Sequence, residues 1–272
     1  MEQDMSLFKI GLIGCGAIGR QVLQLLAREG GDVDVCGVLV RPDGKTATHR
    51  PDLGVPLYTD LDDLLRAEPT MVVECAGHGA VDAYAELVLS ANCDLTLVSV
   101  GALANAGRYA RLKAAAAAGG RRIFIPAVAV GGLDVLQAAK AAGLDVVHYR
   151  SRKPPAAWRG SPAERAVDLD NLSEATTFYR GNARQAATDF PKNANVAATI
   201  ALSTLGMEDT RVELIADPRA DGNYHEIEAV GSAGTIHLRI KALASPHNPS
   251  TSMITAYSVV HALLHGRRTV VL

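Results

Sequence analysis

The chain has 272 residues, 48% of them hydrophobic and 21% charged, a balance that buries a real core and suits one large domain or two ordinary ones. A formal net charge of −2 argues against a nucleic-acid or anionic-membrane partner, since each asks for a concentrated basic face. Cys15, Cys36, Cys75 and Cys93 stand far apart, with no CxxC and no clustered histidines, so neither a disulfide framework nor a metal site is expected.

The opening residues MEQDMSLFKIGLIG lack a basic segment followed by an unbroken apolar one. No later stretch is apolar for long enough to cross a bilayer, and a cytoplasmic protein is expected. The first half then alternates β-branched runs with Ala- and Leu-rich segments. The runs are FKIGLIG (8–14), VDVCGVLV (33–40), MVVECA (71–76), DLTLVSV (94–100) and RRIFIPA (121–127), with helical stretches near 17–28, 80–91, 105–118 and 132–142. Near-continuous apolar strands joined by helices predict an α/β fold, a doubly wound parallel sheet of Rossmann type covered on both faces. DVVHYRS (145–151) reads as a connecting strand at its end.

The pattern changes after Lys153-Pro154-Pro155, because two consecutive prolines fit neither a central strand nor a helix interior. The stretch to about 190 is polar and irregular, and a helix is expected after Pro191, stopped by Gly206. RVELIAD (211–217), YHEIEAV (224–230) and TIHLRIK (235–241) alternate with period two, which predicts a largely antiparallel sheet with one wet face. Residues 249–266 read as an amphipathic helix ended by Gly266. The expected organisation is a dinucleotide-binding domain over 1–150, a smaller α+β domain for substrate and dimerisation over 151–248, and a C-terminal helix within 249–272 that packs back on the first domain. Sheets of the second type often pair, so a homodimer is expected.

Gly14-Cys15-Gly16-Ala17-Ile18-Gly19 follows the first strand and opens the first helix. In a GxGxxG turn the first glycine makes the bend, the second lets backbone approach a pyrophosphate, and the third permits close helix–strand contact. The helix N-terminus then holds the phosphate charge. Alone the motif is weak, but its place in a repeated βα pattern makes it strong, and NAD or NADP is the expected cofactor. At the end of the second strand, where an acid usually meets the adenine ribose, the chain has Arg41. Arg41 either stacks on adenine and pairs with a 2′-phosphate, or is a solvated arginine with Asp43 serving the ribose. Ala76 and Gly77, ending the third long strand, are small enough to let a ligand approach the backbone.

Eight histidines compete for a chemical role. His49 lies in a polar loop, His261 and His265 on the last helix, and His237 on the wet face of its strand. His225 shares a strand face with Ile227 and Ala229, so it is either a satisfied core residue or a group aimed into a cleft. The helix starts at 191–195 and 247–252 offer amides and hydroxyls to an anion, or are ordinary caps; Ser250, Thr251 and Ser252 are the donors of the second. Lys153 either faces a substrate carboxylate or is a surface lysine.

GLIGCGAIG, PAVAVGGLD (126–134), RKPP (152–155), FPKNANVAATIAL (190–202), YHEIEAVGSAGTI (224–236) and NPSTSMITAYSV (248–259) together resemble the L-aspartate dehydrogenase family over nearly the whole chain. One departure stands out: relatives read close to PSGAIGGLD where this chain has Ala127-Val128-Ala129-Val130. The resemblance implies His225 as the active-site acid/base and Ala129 and Asn195 as NAD(P) contacts. It also implies oxidative deamination of L-aspartate, through iminoaspartate, to oxaloacetate and ammonia, reversible as reductive amination and able to feed pyridine nucleotide biosynthesis. The rival readings are a related two-domain reductase, such as dihydrodipicolinate reductase or homoserine dehydrogenase, and a non-catalytic NAD(P)-binding redox sensor.

Overall fold

A strand covered on both faces must be apolar at successive positions, and the runs of the first half meet that demand. The computed structural model describes residues 8–42, 54–245 and 248–265. In chain order they form β1 (Phe8–Ile13), α1 (Ala17–Glu29), β2 (Val33–Leu39), β3 (Leu57–Tyr58), α2 (Leu61–Arg66), β4 (Met71–Glu74), α3 (His78–Ser90), β5 (Asp94–Leu97), α4 (Ala106–Gly119) and β6 (Ile123–Phe124). The six strands are all parallel, in the order β3-β2-β1-β4-β5-β6. Strand order reverses between β1 and β4, the place where such sheets bind ligands beyond their carboxyl ends. Ile10, Leu12, Val72, Val73, Leu95 and Leu97 are fully buried in this sheet. The short β3 and α2 were not expected; Asp60 starts α2 by accepting the Asp62 N–H at 2.8 Å.

The chain then forms α5 (Leu133–Ala142), β7 (Leu144–Lys153), α6 (Ala163–Ala166), β8 (Thr176–Asn182), α7 (Ala183–Asp189), α8 (Asn195–Ser203), β9 (Thr210–Ala216), β10 (Asn223–Gly231) and β11 (Gly234–Ala242). The second sheet runs β11-β10-β7-β9-β8. Its β7–β9 ladder is parallel and the other three are antiparallel. β7 is therefore the central strand of this sheet and not a connector out of the first, as the alternating burial of Val147, Tyr149, Ser151 and Lys153 requires. The polar stretch before 190 also holds more order than its composition suggests. β8 is an edge strand, and Asn182 and Gln185 form a reciprocal capping box at the start of α7.

The described residues divide into two compact units, one taking in the chain to Ser99, Ala106–Pro126 and the segment from Ala256, the other Val100–Asn105 and Ala127–Thr255. Beyond β11 come β12 (Ala244–Ser245), β13 (Asn248–Ser252) and α9 (Ile254–His265). The expected helix from 249 is corrected here: residues 248–252 are extended and pair with β12, and the helix starts only at Ile254. A Pro-Ser-Thr-Ser run favours that extended pairing, since proline lacks an N–H and hydroxyl side chains compete for helix hydrogen bonds. Among the described residues no helix is long and apolar enough to cross a membrane.

Candidate active site

The glycine loop lies in the first unit. Gly14 has φ +99, and a Cβ there would stand 2.7 Å from the Cβ of Ala76, so loop and β4 exit meet too closely for any side chain. A Cβ on Gly19 would stand 2.3 Å from the Gly14 carbonyl oxygen, closing α1 onto the turn. At Gly16 the result is the opposite, with nothing within 4 Å, so this middle glycine opens on free space. Gly16 caps α1 with no side-chain hydrogen bond, and the first turn carries no acid. The amides of Ala17 and Ile18 at this start thus present partial positive charge without a resident anion. Such a cradle fits a pyrophosphate.

Gly77, with φ +108, caps α3 beside Ala76 at the carboxyl end of β4. Arg41 is exposed immediately beyond β2. Asp43, its rival for the ribose, and His49 lie outside the described residues.

The second unit gathers polar groups on the buried face of its sheet. His225 pairs with Ser151 across the β7–β10 ladder. Lys153 lies two residues beyond Ser151 on the same face, and Asn223 two residues before His225. All four are buried, with His225 only 2% exposed and Lys153 3%. The even-numbered neighbours Glu226 and Glu228 point to the opposite, charged face, where Arg239 reaches Glu226 at 3.2 Å. Period-two alternation thus places Ser151, Lys153, Asn223 and His225 together on the dry side.

Within this cluster the Tyr149 hydroxyl lies 2.7 Å from His225 Nδ1. His225 Nε2 is buried with no hydrogen-bond partner, and Ser151 Oγ is likewise buried without one. Burial, and secondarily the Lys153 charge, push the His225 pKa down from 6.5 to about 3. Burial alone pushes Lys153 down from 10.5 to about 8, its Nζ sitting 5.2 Å from the centre of the Trp158 ring. Trp158 is fixed in turn by its own indole N–H, which donates to the Ile215 carbonyl at 3.1 Å.

Of the hydroxyls expected at a helix start, Thr251 and Ser252 lie on β13, and the side chain of Ser250 lies outside the described residues. That expectation is corrected in mechanism but not wholly in place. Ser252 is buried, and Asn223 Nδ2 donates to its hydroxyl at 3.3 Å, which ties β13 to the polar face. Asn195 opens α8, where its side-chain oxygen accepts the Gly101 N–H at 2.9 Å. That bond leaves the Asn195 amide nitrogen as the donating end of the group. Ala129 is buried in the tight turn that follows Pro126.

Tyr149, Ser151 and Asn223 were missed from sequence, although the alternation of β7 and β10 puts them on one face with His225. Among the described residues no His, Cys, Asp and Glu cluster could hold a metal ion.

Two sequence profiles match the chain: one described as the NAD-binding domain of homoserine dehydrogenase, over residues 14–126, and one described as the C-terminal part of aspartate dehydrogenase, over 134–266. An L-aspartate dehydrogenase of Ralstonia pickettii is 43% identical over 262 residues, covering 93% of this chain and 96% of that protein. One from Polaromonas is 42% identical over 271 residues, covering 98% and 100%. The crystal structure of aspartate dehydrogenase from Thermotoga maritima superposes with a TM-score of 0.78 at 26% identity, covering 97% of this chain and 99% of that one.

Proposed function

The chain belongs to the L-aspartate dehydrogenase family, and we propose that it carries out NAD(P)-dependent oxidative deamination of L-aspartate with His225 as the acid/base. It is an oxidoreductase acting on a CH–NH2 donor. Gly14, Gly16, Ala17, Ile18 and Gly19 would hold the pyrophosphate, with Ala76, Gly77, Ala129 and Asn195 as further contacts and Arg41 at the adenosine end. When bound, the nicotinamide supplies the acceptor for the hydride leaving aspartate Cα.

The protein's own groups then position aspartate and move protons. Lys153 anchors one substrate carboxylate as a cation, and the donors of Ser252 and its strand neighbours Ser250 and Thr251 serve the other. His225 Nε2 takes a proton from the substrate amine. Once the ring has released that proton to solvent, Nε2 deprotonates the water that attacks iminoaspartate and returns the proton to the amine nitrogen, so that ammonia leaves and oxaloacetate remains. Tyr149 supports both steps because its hydroxyl can accept from Nδ1–H or donate to bare Nδ1, following either tautomer of the ring. A bound carboxylate beside the ring would also raise the His225 pKa toward neutrality.

One observation carries this reading. A histidine that merely fills a core has both ring nitrogens satisfied, whereas His225 buries Nε2 unpaired beside a buried lysine. An orphaned polar atom costs about 1–3 kcal/mol, a cost that a substrate would relieve. His225→Ala should keep NADPH binding and lose most turnover; retained turnover removes the assignment. Initial rates of NAD(P)H formation across L-aspartate, D-aspartate, L-glutamate and L-homoserine should favour L-aspartate, and preference for L-homoserine would restore the related-enzyme reading. We further propose a homodimer in the cytoplasm. An extended sheet with a wet, charge-patterned face supports the first, and the absence of apolar spanning helices among the described residues accords with the second.

A further inference from the structure

Glu74, the last residue of β4, is a carboxylate in an otherwise apolar strand and is only 1% exposed. Its Oε1 accepts the Ala76 and Gly77 N–H groups, each at 2.8 Å, and the Ser99 hydroxyl at 2.9 Å. Its Oε2 accepts the Ser99 N–H at 3.1 Å. One side chain thereby ties the turn that leads into α3 to the exit of β5. Both segments lie at the carboxyl edge of the parallel sheet, just past the reversal of strand order, where a dinucleotide's second half extends away from the glycine loop.

We propose that Glu74 is a positioning residue for the nicotinamide half of the cofactor, holding the two loops that shape its seat. The proposal rests on the cofactor reading above and names a residue outside it. Burial pushes the Glu74 pKa up while the Gly77, Ser99 and Ala76 bonds pull it down. Three of the four partners are backbone N–H groups, which can only donate, so the arrangement suits an ionised carboxylate. A glutamine can reproduce the Oε1 contacts with its carbonyl. Its amide nitrogen would then face the Ser99 N–H, donor against donor. The β5 exit should come loose while the glycine loop stays closed by its own backbone geometry.

The test is binding, measured by calorimetry on the full-length protein and its E74Q variant. The ligands are NAD+ and NADP+, and the fragments ADP-ribose and 2′-phospho-ADP-ribose, which lack the nicotinamide. E74Q should weaken whichever dinucleotide the wild type prefers by about 10-fold, while the matching fragment changes by less than about 2-fold. Equal weakening of dinucleotide and fragment, or no weakening of either, overturns the proposal. If E74Q does not fold, S99A, which removes only the hydroxyl donor, should show the same split at about 3-fold, and its absence is equally decisive. A wild-type chain that binds neither fragment nor dinucleotide would overturn the cofactor reading itself, and this proposal with it.

Discussion

Tyr149 and His225 sit on neighbouring strands of the second sheet with hydroxyl and Nδ1 2.7 Å apart, their rings 9° from parallel at 6.0 Å between centres. Both are buried, so the pair is a fixed arrangement of one phenol and one imidazole. Burial also pushes the Tyr149 pKa up, which keeps the phenol protonated and able to donate or accept.

Tyr149→Phe keeps the ring and deletes the hydroxyl. Nδ1 then has no partner, and the imidazole loses the contact that sets its orientation. We expect kcat to fall by about 10-fold or more with cofactor affinity unchanged, and stability to fall by about 1–3 kcal/mol. Steady-state kinetics beside calorimetric NADPH binding separates the effects. Unchanged kcat would strip Tyr149 of its role and leave it a packing residue.

How much of this was legible in the sequence depends on what each segment buries. β1, β2, β4 and β5 are covered on both faces, so their apolar runs announced them. β7 carries polar Tyr149, Ser151 and Lys153 on its buried face, and it was read as a connecting strand at the end of the first half, not as the centre of a second sheet. The same alternation, read strictly, would have put Lys153 on one face with Tyr149 and Ser151, but only the pairing of β7 with β10 brings that face to His225. β8 is an edge strand of mixed polarity, and edge position leaves little compositional trace. Glu74 had a signal too, an acid inside MVVECA, but a lone carboxylate in an apolar run gives no hint that its partners are backbone amides of its own loop and of Ser99. The misread helix at 249 had a different cause: its Pro and hydroxyl residues were read as a helix start, although the same run favours the extended pairing with β12 that the structure shows.

Buried ionisable groups also write the stability curve. His225 titrates at about 3 in the folded chain against 6.5 when unfolded. Between those values the unfolded chain binds the proton and the folded one does not, so stability rises with pH there and is lost on acidification from 6.5 toward 3. His225→Gln removes that titration. Chemical denaturation at successive pH values should therefore give a shallower loss for the variant between neutrality and about pH 4. Parallel slopes would mean the imidazole is already charged, or already solvated, in the folded protein.

Lys153 has the same sign at higher pH. Its folded value of about 8 lies below the ordinary 10.5, so the cost of burying its charge is complete below 8 and gone above 10.5. Lys153→Met keeps the length of the side chain without the charge. We expect the variant to be more stable at pH 7 by on the order of 3 kcal/mol, the gain vanishing as the pH passes about 10.5, and to raise KM for L-aspartate steeply. Stability that does not rise, with KM unmoved, would return Lys153 to an ordinary structural cation.

Val128 tests the turn before α5. It has φ +48, a left-handed conformation that a β-branched side chain rarely adopts, in a tight turn closed by the Val130 N–H to the Ala127 carbonyl at 3.0 Å. The family pattern has glycine here. Val128 is also buried, so its isopropyl group contributes about 1.5–2 kcal/mol of apolar burial against roughly 1–2 kcal/mol of backbone strain. Val128→Gly gives up the first and relieves the second, and should fall within about 1 kcal/mol of the wild type. Val128→Ala gives up much of the burial and keeps the strain, so it should cost more than the glycine variant despite deleting fewer atoms. Thermal denaturation of the three proteins ranks them, and an alanine variant more stable than the glycine one would show that the turn holds Val128 without strain.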